Sequence, residues 1–252
     1  MALHPDKRNK QRLAVLVPTH DMCPATFAFD LANMIGYTIA AIGDKFDVGL
    51  YYVAGTYIHK ARQELLEKAI SDGINYVVWV DSDMRFPKDA ILQLLARDED
   101  VVGINYSTRG IPPRFVGIKK TTSLDENGEL VAGELCETNA DSTGLEEVEA
   151  MGFGLVLMKS TALADLDPSD PWFFYEWNFD TGKLHVGEDV WFCKLLRDNG
   201  IKIHIDHDLS KQCRHTGQME YRVEHAEAIA QARKEEQENG DTDVLGSDNG
   251  SQ

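Results

Sequence analysis

Short acidic and imidazole-bearing stretches are the residues in this 252-residue chain whose types and spacing could do chemistry. Asp81-Ser82-Asp83 ends the apolar run Tyr76-Val77-Val78-Trp79-Val80. The run is short and rich in β-branched and aromatic residues, which predicts a buried parallel strand. Side chains on an extended segment repeat every two residues, so Asp81 and Asp83 can point the same way. Two carboxylates there suit a hard divalent cation. The carboxyl edge of an open α/β sheet is where ligands bind, so such a cation could hold a diphosphate. Asp and Ser also favour ordinary solvated turns, which is the competing reading of the same residues.

Gly187-Glu188-Asp189 opens a predicted helix. Acids in a first helical turn suit the helix dipole, which would keep Asp189 deprotonated near neutral pH as a weak base. A weak base can still accept a proton late in a reaction if it is well placed. His215 lies in Cys213-Arg214-His215-Thr216-Gly217. Beside a cation, its neutral imidazole would favour Mn²⁺ or another transition ion over Mg²⁺. Composition does not choose it over His204 or His207. The aromatics Trp172, Phe173, Phe174, Tyr175 and Trp177 could stack a sugar or a base, or serve as packing.

The elements that must position these groups alternate. Strands are predicted over 13–17, broken by Pro18, and over 47–54, with a helix over 25–42 between them. A helix over 60–71 is stopped by Gly73 and precedes the strand ending at Asp81. A helix over 89–96 and a strand over 100–105 follow. This βαβαβ order predicts a parallel sheet with covering helices. Beyond Arg109 the pattern changes to turns, an acidic stretch over 134–149 and a small apolar segment holding Gly152 and Gly154. A helix over 188–198 with Gly200 after it, a strand over 201–205 and a charged helix over 221–238 complete the chain before a Gly/Asp/Ser-rich tail.

The net charge of −17 gives no general attraction to a phosphate backbone. An anionic substrate would need local Arg or Lys groups or a bridging cation. Arg109, Arg114, Lys119 and Lys120 could form such a basic groove. Cys23, Cys136, Cys193 and Cys213 have no C-x-x-C spacing and read as reduced thiols of a cytoplasmic protein. No signal peptide or membrane span is expected.

Taken in order, Ala61-Arg62-Gln63 through Asp81-Ser82-Asp83-Met84-Arg85-Phe86-Pro87, the Gly152–Gly154 segment, Gly187-Glu188-Asp189-Val190-Trp191-Phe192 and His215 resemble GT-A-fold glycosyltransferases of the family 2 type. Compact chains of this look also occur among phage-encoded transferases, which would place the chain in a host cytoplasm. The resemblance implies an α/β GT-A fold, with a mostly parallel sheet flanked by helices and a smaller mixed acceptor-side region. It implies one catalytic domain over 12–218, with a nucleotide-sugar half at 12–109 and an acceptor half at 110–218, followed by a C-terminal helix and acidic tail at 219–252.

By position, Asp81, Asp83 and His215 would hold Mn²⁺ or Mg²⁺. Asp189 would be the base that deprotonates an acceptor hydroxyl, with Glu188 orienting the acceptor. Pro18, Thr19 and Asp21 would lie near the nucleoside, and Asp81 and Ser82 near the donor. Arg62 and Arg109 would contact the diphosphate or form surface ion pairs. Gly152 and Gly154 would let the backbone approach the sugar or acceptor. The donor would be a nucleotide sugar, foremost a UDP-sugar. The acceptor would be a glycan, a protein or a hydroxymethylated DNA base. The absence of an apolar C-terminal helix argues against a lipid-linked acceptor. A phosphatase of the haloacid-dehalogenase type, a sugar nucleotidyltransferase and a non-catalytic nucleotide-sugar-binding module are the competing readings.

Overall fold

The computed structural model describes residues 10–217, apart from residues 21, 56, 111, 122, 125–129, 132, 165, 168–169 and 179–182. Asp21 and the helix expected over 221–238 lie outside the described residues, as does the tail. The chain divides into two units, Met1–Thr216 and Gly217–Gln252, and every element below belongs to the first.

The first part of the chain alternates strand and helix. It runs β1 (Gln11–Thr19), α1 (Ala25–Ile42), β2 (Phe46–Ala54), α2 (Ile58–Ser71), β3 (Tyr76–Val80), β4 (Met84–Arg85), α3 (Ala90–Arg97) and β5 (Val101–Gly103). Short strands follow: β6 (Ile118–Lys120), β7 (Ser123–Leu124), β8 (Leu130–Val131), β9 (Glu134–Leu135), β10 (Leu145–Val148) and β11 (Leu155–Lys159). The last elements are β12 (Glu176–Asn178), β13 (Lys183–Val186), α4 (Glu188–Asp198), β14 (Ile203–Asp206), α5 (His207–Ser210) and β15 (Arg214–His215).

A seven-stranded sheet in the order β10-β14-β5-β11-β3-β1-β2 forms the frame. β1, β2, β3, β5 and β14 run one way, and β10 and β11 run the other. The fold is therefore α/β, with a mostly parallel sheet and helices on both faces. The period-two rule fills those faces. β3 sends Val77 and Trp79 to the face covered by Leu65 and Leu66 of α2 and Phe192 and Leu196 of α4. It sends Val78 and Val80 to the face covered by Phe27 and Met34 of α1 and Ile91 and Leu94 of α3.

β11 departs from the simple βαβαβ expectation. It inserts antiparallel between β3 and β5, pairing Val156 with Trp79 and Leu157 with Val102. Its run Leu155-Val156-Leu157-Met158 is all but fully buried, as a central strand requires. Residues of the expected nucleotide-sugar and acceptor halves thus share one sheet.

β1 also continues through Pro18 to Thr19, where a break was expected. The Thr19 carbonyl accepts from Gly55 N on the β2 side, so the missing Pro18 N–H would have pointed toward β3. The β1–β3 pairing ends at Leu16 and Trp79, so no ladder bond is lost there. Gly73 and Gly200 follow α2 and α4 with φ of 67° and 77°, the left-handed conformation that stops a helix at little cost to glycine. α1, with a mean hydropathy of 1.3 over 18 residues, is long and apolar enough to cross a membrane by length and composition, which the sequence reading did not anticipate.

Candidate active site

The acidic turn forms where β3 runs out. Asp81 N still donates to Gly154 O at 3.1 Å, in continuation of the β11 pairing, and Met84 N then donates back to Asp81 O at 3.2 Å. Ser82 and Asp83 become the central residues of that turn. The extended period of two ends at Val80, and each carboxylate has its own protein partner while the two still repel each other.

β4 pairs antiparallel with β15, His215 opposite Met84, and Thr216 N donates to Asp83 O at 2.8 Å. This places His215 Nε2 at 3.3 Å from Asp83 Oδ2. The other ring nitrogen, Nδ1, sits 2.9 Å from the Ser107 carbonyl, which can only accept, so Nδ1 carries a hydrogen. Nε2 then faces a carboxylate either as part of an imidazolium or across a cation. Asp83 raises the His215 pKa. Burial pushes the Asp83 carboxyl up, but His215 and Arg109, with Nη1 at 3.1 Å, outweigh it and hold it below its ordinary value. A carboxylate oxygen and an imidazole nitrogen oriented by a carbonyl form a donor set that suits a divalent transition ion.

Asp81 binds Arg62 instead. Arg62 Nη2 lies 2.9 Å and 3.2 Å from the two Asp81 oxygens, and Nη1 lies 3.2 Å from Glu188 Oε1. Its guanidinium sits over the Phe153 ring at 5.0 Å. Arg62 is only 3% exposed, so it is not a surface ion pair, and Asp81 and Glu188 face its two terminal nitrogens. Burial works against its charge, and Asp81 and Glu188 outweigh that and raise its pKa. Arg62 is a strut joining the acidic turn to the head of α4. The sequence carried a signal for this: Arg62, Leu65, Leu66 and Ala69 lie on one helical stripe, the buried face of α2.

At the head of α4, Gly187 is extended and Asp189 Oδ1 accepts from Val190 N at 2.8 Å. Burial and then the neighbouring Glu188 push the Asp189 carboxyl above its ordinary value. Pushed up to about 6, the group is a stronger base than an ordinary aspartate, though still mainly deprotonated at pH 7. The dipole and the Val190 hydrogen bond favour the ionised form, but desolvation beside a second carboxylate wins. Glu188 is buried, and the Tyr175 hydroxyl bonds to it.

Tyr106 and Ser107 went unread in the sequence, although they follow β5 at the ligand-binding edge of the sheet. The Tyr106 ring lies over Gly152 and Gly154: a Cβ on Gly152 would collide with its hydroxyl, and one on Gly154 would come within 2.7 Å of Cε1. The space above these glycines thus belongs to Tyr106. The same ring meets His215 edge-on at 5.2 Å. Burial and then Asp81 and Asp189 push the Tyr106 phenol up, so it stays protonated. A cleft of about 230 Å³ opens beside it, lined in part by Phe115, Lys211, Arg214 and His215.

Other expected residues take quieter places. Pro18 and Thr19 end β1 at the same sheet edge as Asp81, since β1 and β3 are parallel neighbours. Ser82 lies in the turn between Asp81 and Met84. Trp172 and Phe173 are core residues, Phe173 stacking on Phe192 at 4.5 Å. Phe174 and Trp177 are exposed. Of the expected basic groove, Lys119 is held by Glu146 at 2.7 Å and Arg109 by Asp83, which leaves Arg114 and Lys120.

No family model matches the chain, and no curated protein does. Among solved structures it is similar to A197 from STIV, with a TM-score of 0.46 and 12% identity over 84% of this chain and 98% of that one. It is also similar to a glycosyltransferase involved in the glycosylation of the major capsid of PBCV-1, with a TM-score of 0.29 and 10% identity over 60% of this chain and 62% of that one. A third similar structure is a protein assigned as a nucleotide-diphospho-sugar transferase from Desulfovibrio desulfuricans G20, with a TM-score of 0.33 and 9% identity over 77% of this chain and 78% of that one. With identities this low and TM-scores below 0.5, these likenesses assign neither family nor activity to the chain.

Proposed function

We propose that this protein is a GT-A-type glycosyltransferase that moves a sugar from a nucleotide-diphosphate donor to a hydroxyl acceptor. The observation that carries the reading is the meeting of His215 Nε2 with Asp83 at the carboxyl end of β3, at 3.3 Å, while Arg62 ties the same turn to Asp189's helix. Asp83 and His215 would hold Mn²⁺ or Mg²⁺, which when bound neutralises charge on a departing diphosphate. Arg109 is the exposed cation of the turn and would exchange Asp83 for a donor phosphate oxygen. Burial pushes the Asp81 carboxyl above its ordinary value, and Arg62 opposes that rise and fixes the group, where it would accept from a donor hydroxyl or from water.

Asp189 is the base. Its raised pKa makes it a stronger proton acceptor than an ordinary aspartate, closer to the range suited to general base catalysis at neutral pH. The acceptor hydroxyl loses its proton to Asp189 as its oxygen bonds to the anomeric carbon, and the diphosphate leaves with the electron pair of the broken bond. Glu188, held by Arg62 and Tyr175, lies beside Asp189 and contributes to that shift. A phosphatase would need Asp81 as a free nucleophile, and Arg62 grips both of its oxygens.

The test is a screen of nucleotide sugars with Mn²⁺ or Mg²⁺, read by mass spectrometry, with glycan, protein and hydroxymethylated-DNA acceptors in parallel. Transfer or donor hydrolysis that is lost in Asp83→Ala supports the reading. Binding of donors without turnover in any arm would instead indicate a nucleotide-sugar-binding module.

A further inference from the structure

Away from the acidic turn, Cys136, Glu146 and His207 bring one ligand atom each to within 4.8 Å of one another. They come from separate segments: Cys136 follows β9, Glu146 lies in β10 and His207 opens α5. Cys136 is fully buried and His207 is 3% exposed. Glu146 divides its oxygens. Oε1 receives Lys119 Nζ at 2.7 Å, and Oε2 faces both His207 Nε2 at 3.0 Å and Cys136 Sγ at 3.7 Å. Zinc bonds of about 2.0–2.3 Å in a tetrahedron put neighbouring ligand atoms about 3.3–3.7 Å apart, close to the two separations at Glu146 Oε2.

The surroundings are those of an oriented imidazole ligand. His207 Nδ1 lies 2.9 Å from Thr138 Oγ1. Asn105 Nδ2 donates to that hydroxyl at 3.1 Å and to the Cys136 carbonyl at 2.8 Å. The Asn105 amide is itself oriented by Gly117 N, which donates to its Oδ1 at 3.0 Å. Without a metal, Nε2–H donates to Glu146 and Nδ1 can accept from the Thr138 hydroxyl; that hydroxyl can equally accept from Nδ1–H, the tautomer that would free the Nε2 lone pair for a metal.

We infer that Cys136, Glu146 and His207 form a zinc site with one open coordination position, separate from the Asp83–His215 pair. A thiolate, an imidazole and a single carboxylate oxygen are a borderline-soft set that selects zinc over magnesium or calcium. Binding displaces the Cys136 thiol proton to solvent. The thiolate and Glu146 then balance the dication, and Lys119 remains on the outer oxygen. The metal would clamp three segments around Asn105, the residue that precedes Tyr106.

The test uses the full chain, stripped with chelator and loaded with ZnCl₂ or CoCl₂, in the wild type and in Asp83→Ala, which disables the other site. The expected result is one zinc equivalent retained through gel filtration in both proteins. The cobalt form shows thiolate-to-cobalt absorption, and both signals are lost in Cys136→Ser. No retained zinc overturns the assignment, and leaves a hydrogen-bonded Cys-Glu-His cluster. So does cobalt binding without thiolate absorption, or a full equivalent retained by Cys136→Ser. The wild-type cobalt spectrum decides the matter even if a variant fails to fold, and none of these outcomes depends on glycosyl transfer.

Discussion

Replacing Arg62 by Met would leave Asp81 and Glu188 buried near each other with no cation between them. Removing one partner of a buried ionic group typically costs about 3–5 kcal/mol. Arg62→Met is expected to lower the urea midpoint accordingly, and an unchanged midpoint would show that the strut is dispensable. Asp189→Asn should behave in the opposite way. The amide keeps the Val190 hydrogen bond but removes a carboxylate whose ionisation the fold disfavours. A carboxyl whose pKa is raised on folding favours the native state at low pH, and that contribution is lost as pH rises through the folded value. The variant should thus be more stable than wild type at neutral pH, by about 1 kcal/mol. The gap should close on acidification below the unfolded pKa, as followed by thermal melts across pH. Transfer should meanwhile fall by about 10²–10⁴, the usual contribution of a general base. In the wild type, activity should decline as pH falls through the raised Asp189 pKa. The identities of these acids were readable from the chain, because a strand end and a helix start are local features. Their protonation was not, because it depends on Glu188, Arg62 and burial that only packing supplies.

Elements bring together what sequence separation hides. The β4–β15 pairing is a two-residue contact, yet it carries His215 across the sheet edge to Asp83. No periodicity announces a strand that short, so His215 could be picked out only by resemblance. The glycines of the 152–154 segment were visible as places of close approach, but the approaching group was not. It is Tyr106, delivered by β5 after β11 has wedged between β5 and β3. Gly152→Ala should be destabilising by about 1–3 kcal/mol through overpacking. Because the nearest atom is the Tyr106 hydroxyl, adding Tyr106→Phe should recover part of that loss. A double-mutant cycle in urea would measure the coupling, and strictly additive effects would mean that Tyr106 is not what meets the new methyl. The buried runs of β1 and β3 and the boundaries of α1 and α4 were plain from composition and helix signals. The placement of β11 was not, because a short apolar run does not state its neighbours or its direction.

At the scale of the whole molecule, a chain with a net charge of −17 could hold an anionic donor only through a few local cations or a bridging metal. The exposed cation of the acidic turn is Arg109, and His215 and Asp83 supply the donor set beside it. Under the proposed function, this turn binds a nucleoside diphosphate through a divalent ion. The direct measurement is thermal unfolding of the wild type and Asp83→Ala with UDP, GDP, ADP, CDP or TDP, each with and without Mn²⁺. A ligand at a hundred times its dissociation constant adds about 2.7 kcal/mol to the folded state. In a domain of this size that corresponds to about 5–10 °C in Tm. Such a rise is expected for at least one nucleotide, only when Mn²⁺ is present, and is expected to disappear in Asp83→Ala. No rise with any metal–nucleotide pair, or an equal rise in Asp83→Ala, would contradict it.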